Sequence, residues 1–382
     1  MSLGIAFRGT VIEQVNQILQ HAIDHSASDI HIEPYEQQLR VRFRLDGVLH
    51  VAGLLPIANK DALISRIKIM AGLDIAEKRR PQDGRIPFGF KSLTYDLRIS
   101  STPTRFGEKI VLRILDRRSV KKSLEEVGLY ETNLLIYREA IRNPYGMVLV
   151  TGPTGSGKTT TLYASLNERN TTEVNILTIE DPIEYELSGI NQTQVHPEIG
   201  LTFSSALRSF LRQDPDIIMI GEIRDRETAE MSIRAALTGH LVFSTLHTNN
   251  ATAAISRLLD MGIEPFLLIS ALRIIVAQRL VRKVCNDCKT WNETSEKAPI
   301  EGFWKGVGCL SCNGTGYKGR LPIFELLPIT ENLQTLILNH ASPSEIRKEA
   351  LHSGMSSLQE YGWDAVRRGL TTPEEILRET VL

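Results

Sequence analysis

Apolar residues between 11 and 24 recur at helical spacing, with Val11, Val15, Ile18, Leu19, Ala22 and Ile23 on one face. The period then changes. Leu39, Val41, Phe43 and Leu45 alternate with Arg40, Arg42 and Arg44, which predicts a half-buried strand, and Asp46-Gly47 supplies a turn into a second strand at 48–51. Residues 61–76 read as helix and 86–115 as further strands. Residues 1–116 are therefore expected to form a small α+β domain. The run Asp116-Arg117-Arg118-Ser119-Val120-Lys121-Lys122 reads as a solvated connector that leads into a linker at 117–131.

After a helix at 132–142, short apolar runs alternate with helical segments. Met147-Val148-Leu149-Val150, Ile176-Leu177-Thr178-Ile179, Ile217-Ile218-Met219-Ile220 and Leu241-Val242-Phe243-Ser244 carry no polar alternation. Such runs are strands of a parallel sheet covered on both faces. The most apolar long stretch, Ile263 to Leu280, contains Glu264, Pro265, Arg273, Gln278 and Arg279. It reads as a buried amphipathic helix and not as a membrane span. The tail, 331–382, reads as short helices, with starts at Ser342-Pro343-Ser344-Glu345 and Thr372-Pro373-Glu374-Glu375.

A chain of 382 residues suits two or three domains. Its net charge of -1 supplies no global basic field for nucleic acid or anionic lipid. The N-terminus lacks a charged-then-apolar leader pattern, so the expected compartment is the cytoplasm.

One motif carries specific chemistry. Gly152-Pro153-Thr154-Gly155-Ser156-Gly157-Lys158-Thr159 fits the P-loop pattern, between an apolar strand and a helix-competent segment beginning at Thr160. The glycines let backbone N–H groups turn inward around phosphates, Lys158 would reach the β/γ-phosphates, and the Thr159 hydroxyl would ligate Mg²⁺. Hydrolysis also needs a group that orients water. Glu222, just past the run 217–220 and its Gly221, is the nearest carboxylate, with a plain surface carboxylate as the competing reading. Glu180 follows the run 176–179 and would stand near the Mg²⁺–phosphate region, because strand C-termini gather along one edge. His247 lies past the end of the run 241–245 and His240 at its start, where packing or capping is as good a role.

All four cysteines form two Cys-x-x-Cys pairs, Cys285/Cys288 and Cys309/Cys312. The spacing fits a tetrahedral Cys₄ zinc site, and a redox dithiol is the alternative. Four cysteine ligands leave no open position, so a structural role is expected.

These motifs resemble those of the secretion ATPases of bacterial type II secretion and type IV pilus assembly. The P-loop is one match. Thr178-Ile179-Glu180-Asp181-Pro182-Ile183-Glu184-Tyr185 resembles the family's Asp box, the segment from Leu211 to Asp225 its atypical Walker B, and Thr238 to Thr248 its His box. Ala27-Ser28-Asp29-Ile30-His31-Ile32-Glu33-Pro34 matches in the first domain, so the likeness runs from about residue 25 to 382. The resemblance implies a RecA-like α/β domain at 132–382 with a zinc-binding insert at 285–312 and a helical tail, preceded by a PAS-like α+β domain. It implies a cytoplasmic homo-hexamer, peripheral to the inner membrane, that hydrolyses ATP to drive a membrane-embedded platform protein. That protein assembles pilin-like subunits, and the motor's membrane contact is through such partners alone. Glu222 is then the catalytic glutamate, and Glu180 and His247 are active-site residues. Arg98 and Arg113 would reach the γ-phosphate from the smaller domain, and Arg208 and Arg224 are further arginines near the site. Alone, Arg98 and Arg113 would read as solvated strand-face arginines. The insert is typical of secretion and pilus-extension members and absent from retraction members, which favours assembly. Family members usually carry a further N-terminal domain, whereas this chain begins almost directly at the second, either trimmed or naturally short. Two other readings remain: a nucleic-acid translocase, which would need a basic, aromatic-lined channel, and an ATP-gated assembly module that does not hydrolyse.

Overall fold

The computed structural model describes residues 3–115, 122–129, 131–293 and 300–380. The expected connector at 116–122 lies outside the described residues apart from Lys122. The chain divides into two compact units, Met1–Ser119 and Val120–Leu382.

In the first unit Thr10 caps helix α1 (Val11–Asp24): its hydroxyl accepts from the Glu13 N–H, and the Glu13 carboxylate accepts from the Thr10 N–H at 2.7 Å. Strands β1 (Asp29–Pro34), β2 (Gln38–Leu45) and β3 (Val48–Pro56) precede helix α2 (Lys60–Met70), and β4 (Gln82–Phe90), β5 (Leu93–Thr104) and β6 (Gly107–Leu115) follow. They form one six-stranded sheet, all neighbours antiparallel, in the order β3-β2-β1-β6-β5-β4. Helix α2 stops at Met70, short of the expected 76. Gly72 takes φ 68° there and the Leu73 N–H turns back to the Lys68 carbonyl, which closes the helix.

The period-2 pattern places Leu39, Val41 and Phe43 on the sheet face that packs against Ile18, Leu19, Leu63 and Ile67 of the helices. The opposite face is charged. Glu33 accepts from Arg42 at 2.7 Å and pairs with Lys109 at 3.2 Å. Burial alone would push its carboxyl up, but Arg42 and Lys109 prevail and bring it down to about 2. On the same face the strand register sets Arg85 opposite Arg98, and Arg98 opposite Arg113. Arg113 also pairs with Asp29 at 3.2 Å.

The second unit opens with helices α3 (Leu124–Val127) and α4 (Glu131–Arg142). Strand β7 (Gly146–Thr151) leads into α5 (Lys158–Arg169). Then come β8 (Ile176–Glu180), β9 (Asn191–Gln194), α6 (Phe203–Phe210), β10 (Ile217–Ile220), α7 (Arg226–Leu237) and β11 (Leu241–Leu246). After α8 (Ala251–Asp260) and α9 (Pro265–Ala271), β12 (Leu272–Val284) enters the sheet, followed by a small hairpin of β13 (Lys289–Asn292) and β14 (Phe303–Gly306), then β15 (Tyr317–Pro328). The seven-stranded sheet has the order β15-β12-β7-β11-β10-β8-β9. β12, β7, β11, β10, β8 and β9 run parallel, and β15 is antiparallel on the edge.

One expectation is corrected here. The stretch Ile263 to Leu280 is not one helix: α9 ends at Ala271 and β12 begins at Leu272. Ile274, Ile275 and Val276 are wholly buried between β7 and β15, and an unbroken apolar run does not distinguish a buried helix from a buried strand. The four apolar runs do form mutually parallel strands, β7, β8, β10 and β11, and β15 adds an antiparallel edge beside β12.

Tail helices α10 (Glu331–Leu338), α11 (Pro343–His352), α12 (Leu358–Arg367) and α13 (Pro373–Thr380) follow. Ser342 forms a capping box with Glu345 and α13 starts at Pro373, at the two expected positions. Buried Glu375 of α13 pairs with Arg282 of β12 at 2.6 Å and Arg378 at 2.7 Å, which docks the tail on the sheet. Among the described residues no helix is long and apolar enough to cross a membrane.

Candidate active site

The central position of β7 decides where the phosphate loop lies. All six residues of β7 are buried, flanked by β11 and β12, so the chain leaves the sheet at Thr151 from its middle. Gly152, Gly155 and Gly157 all take positive φ. At Gly152 a side chain is also excluded by space, since an added Cβ would lie 2.4 Å from the Gln278 carbonyl oxygen. Gly157, at φ 91°, is the residue before α5, so the free N–H groups of that helix point into the loop. Ser156 is buried, whereas Pro153, Thr154, Gly155 and Thr159 are exposed and Thr160 half-buried.

Lys158 folds back over its own loop and donates to the carbonyls of Gly152 at 2.8 Å and Pro153 at 3.0 Å. Burial pushes its ammonium down to about 8; Glu222 opposes that shift and the Arg279 charge adds to it.

Glu222 sits at the end of β10 in a tethered turn. The Gly221 N–H binds the Ile179 carbonyl, the Thr245 hydroxyl donates to the Gly221 carbonyl at 2.7 Å, and the Ile223 N–H binds the Thr245 carbonyl. With both neighbours held by β8 and β11, the Glu222 side chain leaves the sheet at the strand edge. Its carboxylate pairs with Arg224 and lies 3.3 Å from His247 Nε2. Burial and the Lys158 charge hold the His247 imidazole below its usual value, so at neutral pH the contact is a hydrogen bond from a neutral ring. Arg224 also reaches Asp181 at 3.3 Å. Asp181, Glu222, Arg224 and His247 thus form one cluster from the ends of three strands. Asp181 was not singled out in the sequence, although it directly follows Glu180.

Glu180 has a different setting. It is buried, and accepts from Thr178 at 2.6 Å, from Gln192 at 3.1 Å and from the Tyr163 hydroxyl of α5. Burial raises its carboxyl. His240 Nδ1 lies 2.9 Å from the Ala235 carbonyl, closing α7. Arg208 pairs with Glu227 and not with the Glu222 cluster. Arg98 and Arg113 belong to the first unit.

The four cysteine sulfurs all lie within 4.8 Å of one another. Three pairs are 3.8 Å apart: Cys285–Cys309, Cys288–Cys312 and Cys309–Cys312. A tetrahedron with metal–sulfur bonds of about 2.3 Å has edges of about 3.8 Å. Backbone N–H groups of Gly308 and Gly316 reach Cys288 and Cys312 sulfurs at 3.3 and 3.2 Å, as thiolates require. The donor set therefore fits a four-coordinate soft-metal site.

The family model described as type II/IV secretion system protein matches residues 6–378. The chain belongs to this family. It is 51% identical over 385 residues to the type IV pilus assembly ATPase PilB of Myxococcus xanthus, covering 97% of this chain and 68% of the relative. It is 49% identical over 380 residues to type II secretion system protein E of Aeromonas hydrophila, covering 97% and 75%. Among solved structures, the pilus retraction motor PilT with bound ADP superposes with a TM-score of 0.65 at 27% identity, covering 96% of each chain. The mixed α/β fold with a largely parallel sheet is shared with that motor.

Proposed function

We propose that the chain is an ATP-hydrolysing motor that drives assembly of a pilus or of the pseudopilus of type II secretion. The observation that carries this reading is the meeting of Lys158, Glu222 and His247 at one strand edge beside the phosphate loop, in a family whose relatives are named pilus assembly ATPase and type II secretion protein.

In this reading the phosphate loop, residues 152–160, holds the ATP phosphates. Lys158 leaves the Gly152 and Pro153 carbonyls for the phosphate oxygens. Glu222 accepts a hydrogen bond and then the proton from the attacking water, whose oxygen forms the new bond to the γ-phosphorus as the bond to the ADP oxygen breaks and that oxygen leaves with the bonding pair. His247 and Arg224 fix the carboxylate for that task. Mg²⁺, when bound, neutralises phosphate charge, and the Thr159 hydroxyl is its proposed protein ligand. Glu180, tied to α5 through Tyr163, holds the Asp box in place beside Asp181. Arg98 and Arg113, in a first unit read as PAS-like, are the proposed source of guanidinium charge for the γ-phosphate. Arg208 is proposed as a further arginine of the nucleotide site, and the motor as a homo-hexamer on the cytoplasmic face of the inner membrane whose partner is a platform protein.

Purified protein is expected to release phosphate from ATP with no stimulation by single-stranded DNA. Absence of any turnover would leave only a nucleotide-gated module, and strong stimulation by DNA would replace the motor reading with a translocase.

The cysteine cluster is proposed to hold one zinc that folds the insert. Metal analysis of protein prepared without chelator should give about one zinc per chain. Cys285→Ser with Cys312→Ser should lose the metal and lower the melting temperature. A metal-free wild-type protein that melts normally would refute the site.

A further inference from the structure

The phosphate loop rests on one side chain that the proposed function does not use. Gln278 of β12 is 1% exposed. Its amide oxygen accepts from the Thr161 hydroxyl of α5 at 2.7 Å. Its amide nitrogen faces Gly157, where an added Cβ would lie 2.8 Å away. Its backbone carbonyl approaches Gly152 at the other end of the loop, with the 2.4 Å clearance already described. The next residue, Arg279, is also buried and donates to the Gln278 carbonyl at 3.3 Å and the Asn249 carbonyl at 2.8 Å. Asn249 lies two residues beyond His247. Consecutive residues of one strand therefore touch the first and last glycines of the loop, its following helix, and the segment bearing His247.

A buried primary amide is costly unless its polar groups are used. Here the acceptor is used by Thr161, and no hydrogen bond from the donor to another described residue is seen. The donor instead lies at the floor of the loop where the backbone passes without a side chain. An oxygen in its place would present lone pairs to the region that receives phosphate. A methylene chain would fill the same volume and brace nothing.

We propose that Gln278 is a positioning residue of the nucleotide site: its amide, held by Thr161, sets the phosphate loop between Gly152 and Gly157 in its anion-receiving shape. The inference rests on the nucleotide-binding reading of residues 152–159. Among the described residues no hydrogen bond joins Gln278 to Glu222, Arg224 or His247, so it acts on binding and leaves the chemical step to them.

The test compares wild-type protein with Gln278→Glu, using ADP with Mg²⁺ for affinity and ATP for turnover. Glu keeps the volume and the acceptor for Thr161 but replaces the donor facing the loop by an oxygen. The expected result is a tenfold or greater rise in the Kd for ADP and in KM for ATP, with kcat within about threefold, since a buried carboxylate facing the loop opposes an arriving phosphate, and tenfold corresponds to about 1.4 kcal/mol. A Kd within twofold of wild type overturns the proposal, as does a loss confined to kcat. Should Gln278→Glu not fold, Thr161→Val removes the hydroxyl that fixes the amide at nearly constant volume. Weaker ADP binding with kcat kept supports the proposal there, and unchanged binding overturns it. Wild-type protein that binds no ADP would instead refute the nucleotide reading itself, so the two failures are distinct.

Discussion

Lys158→Ala is expected to lower ATP turnover by roughly a thousandfold or more and nucleotide affinity by roughly a hundredfold, because the proposed charge-assisted contact of its ammonium with phosphate, worth about 1.5–3 kcal/mol per hydrogen bond, is removed. The lysine is buried and its only hydrogen-bond partners among the described residues are the loop carbonyls of Gly152 and Pro153. Nothing else on the loop can supply its charge. A variant that hydrolyses ATP at the wild-type rate would move the site elsewhere. The depressed ammonium adds a pH signature. Below pH about 8 the free protein carries a charged Lys158, and above it the proton is lost. Bound phosphates favour the charged form, so nucleotide binding above that pH takes up a proton, and affinity falls as pH rises. Binding calorimetry in buffers of different ionisation enthalpy should show this uptake in wild type and its loss in Lys158→Ala.

Much of this arrangement was legible because it depends on local pattern. The Leu39–Leu45 alternation, the capping box at Ser342 and the glycines around Lys158 each impose their structure within a few residues. The apolar runs at 147, 176, 217 and 241 are strands because they are buried on both faces, which is a statement about composition. What was not legible depends on tertiary pairing. β12 reads as helix along its own sequence and becomes a strand only between β7 and β15. The site divides in the same way. Lys158 and Glu222 follow from a motif and a strand end. Asp181 becomes visible as a partner of Arg224 only when β8 and β10 lie side by side, and Gln278 only when β12 is placed under the loop. Glu180 shows the converse, since its place in a motif says nothing of the Tyr163 and Gln192 groups that occupy its carboxylate.

That division sharpens what Glu222→Gln should do. The amide keeps the size of the side chain and an oxygen able to accept from His247 or Arg224, so the turn pinned by Thr245 has no reason to move. What is lost is the carboxylate proposed to take a hydrogen bond, and then a proton, from water. General-base contributions of this kind are worth about 10²–10⁴ in rate. ATP hydrolysis should fall by that factor, while nucleotide affinity, set by the loop and Lys158, stays within a few fold of wild type. The variant should therefore hold ATP without consuming it, and a filter or calorimetric binding assay beside a phosphate-release assay separates the two. Equal loss of binding and turnover would make Glu222 a structural partner of Arg224. Full retention of turnover would pass the base role to another carboxylate, and Asp181, already within reach of Arg224 and more open to solvent than Glu180, is the one the geometry favours next.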